Sequence, residues 1–430
     1  MQTKNIALIG AVVVVCVAAI AIFALNGNDD KNYVSDDDSG RLMVYGNANN
    51  DDYLDDKDVE TLQKIISGEL EKTKYADANQ DGVIDEKDIQ KVQDIINKKT
   101  DSVYINQIYN SEEQIVECKY PLTKVCVAGY ETITVMKSIG AVKSIVCLSG
   151  ASGDNFNERF YSDVYNLPKV GDTVWTVDIE QLSKYDIEAV VAMDSKSYIP
   201  NYEQIEAAGK DVIRIQAANG LTSLNGIVTL GFLFDCVEKA NEEMEFFDGI
   251  LEDIESKLKT VSDDKKVSGL FVTMTNYCEG VSSRSEYTGT MEIAGATAVA
   301  DDTIWEQKAR KQFHIGDEWL LDSKLQSDYI VHSRALGLGD VDKQAQWDKY
   351  SQYFKDMKAY KDGHYFILNS TLSPALRIAF MATEFYPDLF GEDYAVEKVQ
   401  EYYDKFITNV KDFNAKTDAT WVITSDMVNA

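Results

Sequence analysis

Histidine is scarce in this chain: His314, His332 and His364 are the three in 430 residues, each in a separate segment. That argues against a His-rich cage for a naked Zn²⁺ or Mn²⁺. Cysteine offers no substitute, because Cys16, Cys118, Cys126, Cys147, Cys236 and Cys278 show no CxxC or zinc spacing. Cys126 and Cys147 fall in two consecutive predicted strands and read as two small buried hydrophobes. Basic charge is also short. Against 72 Asp and Glu stand 42 Lys and Arg, a formal net charge of −30, which disfavours nucleic-acid phosphates and anionic membrane surfaces as partners. No HExxH motif, phosphate loop or nucleophile elbow occurs, so nothing points to an enzyme.

What is present is apolar residues enough for a large core, at 45% hydrophobic and 10% aromatic, in a chain too long for one ordinary domain. Residues 6–25, IALIGAVVVVCVAAIAIFAL, form an uncharged run long enough to span a hydrocarbon core as a helix. Lys4 precedes it, and Asp29, Asp30, Asp36, Asp37 and Asp38 follow. That asymmetry predicts a single N-terminal transmembrane span (residues 1–26) with the bulk of the chain extracellular. A cleaved signal peptide is the competing reading. Residues 27–40 read as an acidic linker.

Residues 41–100 hold an internal repeat. Asn47, Asn49, Asp51, Tyr53, Asp55 and Asp58 align with Asp77, Asn79, Asp81, Val83, Asp85 and Asp88 at positions 1, 3, 5, 7, 9 and 12 of a twelve-residue loop. Each loop is followed by an amphipathic run, VETLQKIISG and IQKVQDIINK. Oxygen ligands at this spacing, with a backbone carbonyl at position 7, match how an EF-hand-type loop surrounds Ca²⁺. Two Ca²⁺ sites are expected, the second better furnished. It has Gly82 at the sharp turn and acid at position 1, where the first loop has Asp52 and Asn47.

From Pro121 the pattern becomes alternating strands and helices, which predicts a parallel α/β lobe over residues 115–221. The same grammar returns over residues 261–430. Between them residues 222–260 contain no proline and keep Ile227, Leu230, Phe234, Val237, Met244, Phe247, Leu251, Ile254 and Leu258 on a helical stripe. Gly231 and Asp235 are weak helix formers, so a break near residues 234–237 is expected within this connection. The predicted fold class is α/β: two Rossmann-like lobes joined by a long rigid helix, preceded by a small all-α calcium-binding domain and the N-terminal transmembrane helix.

Two resemblances sharpen these expectations. The duplicated loop and helix, ending each loop in Asp58 or Asp88 where EF-hands use Glu, resembles type I dockerin domains. The resemblance implies calcium-dependent folding and a cohesin-type protein partner, although the usual recognition positions carry Asp56-Lys57 and Glu86-Lys87, not small hydroxyl pairs. Residues 115–410 resemble class III substrate-binding proteins, the iron-siderophore, haem and cobalamin group that serves ABC importers. The signatures are VCVAGYETITVMKSIGA, VGDTVWTVDIEQLSKYDIEAVVAM, FHIGDEWLLDSKLQSDYIVHS and MKAYKDGHYFILNSTLSPALRIAFMATEFYPDLF, in that order.

In parallel α/β lobes ligands sit beyond the carboxyl ends of the strands, here in an expected crevice between lobes. On that scheme Tyr130, Trp175, Tyr198, Asn276, Tyr277, Arg284, Phe313, His314, Arg334 and Arg377 are the candidate ligand contacts. Aromatic faces plus cationic donors suit a ferric siderophore, haem or cobalamin. The resemblance also implies an acidic residue on each lobe that docks to arginines of the ABC permease, and Glu180 and Glu318 match those positions. An alternative is a surface adhesion or scaffolding protein whose main activity lies in the calcium module.

Overall fold

The computed structural model describes residues 40–109, 112–151, 156–173, 177–194, 198–216, 220, 222–273, 286–299, 325–339 and 341–428. The predicted span at residues 6–25 lies outside the described residues. Among the described residues no helix is long and apolar enough to cross a membrane. The chain divides into two compact units, one with residues 34–218 and 222–245, the other with 219–221 and 246–430.

The first unit begins with the repeat. Helices α1 (Asp56–Ile66) and α2 (Glu86–Ile96) follow the two loops and bury Val59, Leu62, Ile89 and Val92 with Ala48, Ala76 and Ala78 in one small core. Strands β1 (Ser102–Tyr109) and β2 (Glu112–Lys119) come next as an antiparallel hairpin. Then come β3 (Val125–Ala128), helix α3 (Tyr130–Ser138), β4 (Ile145–Ser149), β5 (Lys169–Gly171), α4 (Ile179–Leu182), β6 (Ala189–Ala192), α5 (Tyr202–Ala207) and β7 (Asp211–Arg214). These five strands form an all-parallel sheet in the order β5-β4-β3-β6-β7. Its middle strands, VCVA and AVVA, are buried at every position, which is why they read as unbroken apolar runs with no alternation. Cys126 and Cys147 sit opposite each other on β3 and β4, both buried and both free thiols.

The connection between the predicted lobes is two helices, α6 (Ser223–Leu233) and α7 (Val237–Leu258). The expected break falls between them, with Asp235 in the left-handed region at φ +56°. Gly231 contributes differently from its low propensity. It lies within α6, and a Cβ there would stand 2.3 Å from the Cβ of Ala240, so it lets the start of α7 fold back closely on α6.

The second unit repeats the plan with β8 (Ser268–Val272), α8 (Glu286–Ile293), β9 (Thr297–Ala298), β10 (Tyr329–Arg334), α9 (Lys343–Ser351), β11 (Tyr365–Asn369), α10 (Pro374–Phe385), α11 (Tyr394–Phe406) and β12 (Val422–Ile423). Its sheet runs β12-β11-β10-β8-β9, with β12 alone antiparallel to its neighbour. Leu270, Val272, Ile330, Ile367, Phe354 and Trp347 are among the residues that form its core.

Candidate functional site

The repeat is realised almost atom for atom. In the first loop the N–H of Asn49 donates to Asp58 Oδ1 at 3.1 Å, and that of Asp55 to Asp58 Oδ2 at 2.8 Å. In the second, Asn79 donates to Asp88 Oδ1 at 3.1 Å and Asp85 to Asp88 Oδ2 at 2.9 Å. Position 5 receives the N–H of position 7 in both, Tyr53 to Asp51 at 2.8 Å and Val83 to Asp81 at 3.0 Å. Asp55 and Asp85 cap α1 and α2, each in a capping box closed by Asp58 or Asp88. Asn50 and Gln80, both at position 4, take φ of +58° and +59°.

The loops differ at position 1. Asp77 Oδ2 accepts the N–H of Gly82 at 2.9 Å, Gly82 stands at φ +88°, and Asp77 Oδ1 is buried without a partner. In the first loop Asn47, fully buried, donates its amide to Leu42 O at 2.9 Å and Asp51 O at 2.8 Å. Asp52, where the second loop has Gly82, is held by the Arg41 guanidinium at 2.6 Å. Burial pushes the Asp58 carboxyl up to about 7 and raises that of Asp88. Buried carboxylates of this kind need a positive charge or a proton. The donor set of the second loop, four carboxylates, an amide oxygen and a backbone carbonyl position, fits a hard divalent cation. Asp77 Oδ1 is the oxygen that such an ion would satisfy. Among the described residues no group of three or more His, Cys, Asp or Glu, the two loops included, is drawn together around a metal position.

A second cluster occupies the carboxyl rim of the first unit's sheet. Gly129, at φ +98°, turns β3 directly into α3 and leaves Tyr130 and Glu131 at the strand end. The Tyr130 hydroxyl is hydrogen-bonded to Glu131, and Tyr198 and Tyr161 lie within electrostatic range. Beyond β6, Asp194 accepts from Gln216 Nε2 at 3.0 Å and lies within electrostatic range of Tyr198. Burial raises the Glu131 carboxyl and lifts Asp194 to about 6. Protonated, such carboxyls can donate to a ligand oxygen; ionised, they can accept from a cationic or hydroxyl-rich ligand. Glu131 and Asp194 were not anticipated from sequence, although each lies within two residues of a predicted strand end or contact.

The sequence-predicted contacts divide as follows. Tyr130 and Tyr198 both lie at this rim, within electrostatic range of each other. Trp175, Asn276, Tyr277, Arg284, Phe313 and His314 lie outside the described residues, as does Glu318. Arg334 ends β10, on the carboxyl rim of the second sheet, where it donates to Thr273 O at 3.2 Å and to the Tyr350 hydroxyl at 3.1 Å while its guanidinium covers the Tyr350 ring at 4.4 Å. Arg377 is in the first turns of α10 and only 4% exposed. Glu180 is exposed on the first turn of α4. A depression of about 240 Å³ near Trp347, Tyr360 and Tyr365 lies at the start of β11, the opposite end of that sheet from Arg334.

Comparison with known proteins agrees on the architecture. The molybdate-bound protein MolA of Haemophilus influenzae superposes with a TM-score of 0.52 at 21% identity, covering 69% of this chain and 96% of MolA. The TroA-like periplasmic binding protein FepB of Veillonella parvula gives 0.52 at 18% identity, covering 74% and 99%. CeuE of Helicobacter pylori, solved with Ni(II), gives 0.52 at 17%, covering 73% and 98%. This is the class III, TroA-like fold of ABC-transporter substrate-binding proteins. In sequence the chain is 23% identical over 245 residues, 56% of its length, to YvrC of Bacillus subtilis (strain 168), described as an uncharacterized ABC transporter substrate-binding lipoprotein, 74% of which is covered. No family model matches the chain.

Proposed function

We propose that this protein is an extracellular solute-binding component of an ABC importer, anchored by residues 6–25, that captures a metal chelate or corrinoid. The observation that carries the reading is the Tyr130, Glu131, Tyr198 and Asp194 cluster at the carboxyl rim of a parallel sheet, where this fold exposes its loops to ligand. Two tyrosines supply flat faces and hydroxyls, and two carboxyls supply a proton-sensitive polar pair. Glu180, exposed on α4, is the permease-facing acid of this unit, with Glu318 its proposed counterpart. No covalent step is required, and the protein acts by binding and release.

The test is mass spectrometry of what co-purifies with the full chain, followed by tryptophan-fluorescence titration with haem, cobalamin and a ferric siderophore. One of these should quench emission saturably, and Tyr198→Ala should weaken that response by at least about tenfold, near 1.4 kcal/mol. No saturable response to any of the three would remove the chelate assignment.

The repeat module takes Ca²⁺ in this reading, at the Asp77–Asp88 loop with the higher affinity. Exposure of Asp56, Lys57, Glu86 and Lys87 supports a second role, docking to a cohesin-type protein through charged contacts. A calcium-dependent pull-down that survives loss of all four charges would argue against that surface.

A further inference from the structure

We propose that the repeat module braces the ligand-facing rim of its own unit, and that Arg214 is the positioning residue through which the brace acts. The proposal rests on the calcium reading above for its switch and on contacts within one unit for its path.

The module is stitched to the hairpin by its backbone. Val44 forms an antiparallel bridge with Ile105, Tyr45 N–H donates to Tyr104 O at 2.9 Å, and Asn106 N–H donates to Met43 O at 3.0 Å. The same segment runs straight into the first loop, and Gly46 N–H donates to Tyr75 O at 2.7 Å on the approach to the second. Lys91 Nζ reaches Ser102 O at 2.9 Å, and Lys74 pairs with Glu113 at 2.6 Å. A freely swinging docking module would need none of these bonds. Apart from the Gly46–Tyr75 bond, which ties the two loops' approaches together, each fixes a loop-bearing element to β1 or β2.

From β1 the path continues to the sheet edge. Gln107 Oε1 accepts the backbone N–H of Arg214 at 2.8 Å. The Arg214 guanidinium, 1% exposed, is sandwiched between the rings of Tyr109 at 4.1 Å and Tyr202 at 4.6 Å, and its Nη2 donates to Ile199 O at 3.3 Å. A cation held by two aromatic faces and a carbonyl is costly to bury and tightly fixed in place. Ile199 is the telling residue. It is β-branched, fully buried and at φ +48°, a conformation that such a side chain adopts only when its surroundings impose it. The bond from Arg214 helps impose it, and Ile199 is bonded in sequence to Tyr198 on the ligand rim. Ordering the loops therefore orders Met43–Asn47, β1, Arg214 and the 198–202 segment in turn.

Hydrogen exchange of the full chain, read by mass spectrometry in Ca²⁺ and in EGTA, tests this. In the wild type Ca²⁺ should slow exchange at least about tenfold in the loops, in β1 and at 198–202 together. Arg214→Lys should keep the protection of loops and β1 but lose that at 198–202, and should speed exchange there even in EGTA. Tyr202→Leu, which leaves the Gln107 bond intact, should behave alike and guards against a fold defect specific to the lysine. Calcium protection confined to the loops, or an unchanged 198–202 response in both variants, overturns the brace. No response to Ca²⁺ anywhere, with 198–202 still loosened by Arg214→Lys, overturns the calcium reading and the switch while upholding the positioning role.

Discussion

The N–H of Gly82 points at Asp77 Oδ2 from 2.9 Å, which turns the other oxygen of that carboxylate, Oδ1, inward and leaves it buried without a partner. An unsatisfied carboxylate oxygen is expensive to bury unless a cation meets it. Asp77→Ala should therefore weaken the tighter of two calcium-binding events by at least about tenfold in isothermal titration calorimetry, near 1.4 kcal/mol. An unchanged binding isotherm would place the tight site elsewhere.

The partner loop should not be repaired by restoring an acid. Asn47 donates to Leu42 O and Asp51 O, and a carboxylate would set oxygen against two carbonyl oxygens in a fully buried site. Asn47→Asp is expected to destabilise the calcium-free protein by about 1–3 kcal/mol in urea unfolding with EGTA present. Full rescue of that loss by Ca²⁺, to above wild-type stability, would show that the first loop is a metal site held back only by charge count.

Gly226 lies inside α6, where alanine is the better helix former by about 1 kcal/mol. A Cβ there would stand 1.8 Å from Gln216 O and 2.8 Å from the Ile215 side chain, both just beyond β7. Close packing leaves no room for the methyl without moving backbone. Gly226→Ala should destabilise by about 2–4 kcal/mol, read as a lower urea midpoint at unchanged slope. A neutral or stabilising result would mean that α6 does not pack this closely on the sheet.

The sequence made both sheets legible because their central strands are continuous apolar runs bounded by turns, and the helix break was legible because Asp235 is a weak helix former at the point where the chain reverses. The hairpin of β1 and β2 escaped notice. Its buried positions include Asn106 and Gln107, on opposite faces of β1, and a polar pair in a strand looks like loop until its distant partners, Glu113 and Arg214, are known. The geometry of the two repeated loops was readable from spacing alone. Their joining to the first lobe was not, since it runs through main-chain bonds of Met43 and Tyr45 that carry no side-chain signature. Tyr130 and Tyr198 both lie at the carboxyl rim of the first unit's sheet, within electrostatic range of each other. Glu131, next to Tyr130, and Asp194, four residues before Tyr198, were missed because a single acid in a chain with 72 acids stands out only once its burial is known.

His332 gives the second unit a pH dependence of its own. It is fully buried on β10, with Nδ1 2.8 Å from the Tyr365 hydroxyl, and burial, aided by the nearby Arg334 charge, lowers its pKa to about 3. The unfolded chain takes up a proton on this imidazole below about 6.5, whereas the folded chain does not do so until about 3. Between those values the unfolded state binds more protons, so the stability contributed is present above pH 6.5 and is lost as pH falls through that window. Two pH units inside it correspond to about 2–3 kcal/mol. Acid also protonates carboxylates throughout the chain, so the informative quantity is a difference between variants. His332→Gln removes the titration and keeps a group able to bond Tyr365. Between pH 7.0 and 4.5 the wild type should lose about 2–3 kcal/mol more than this variant in urea unfolding followed by tryptophan fluorescence. Equal losses would mean that His332 is already solvated or charged in the folded protein, and that its burial against Tyr350 and Phe354 is looser than the ring contacts of 5.5 and 5.4 Å suggest.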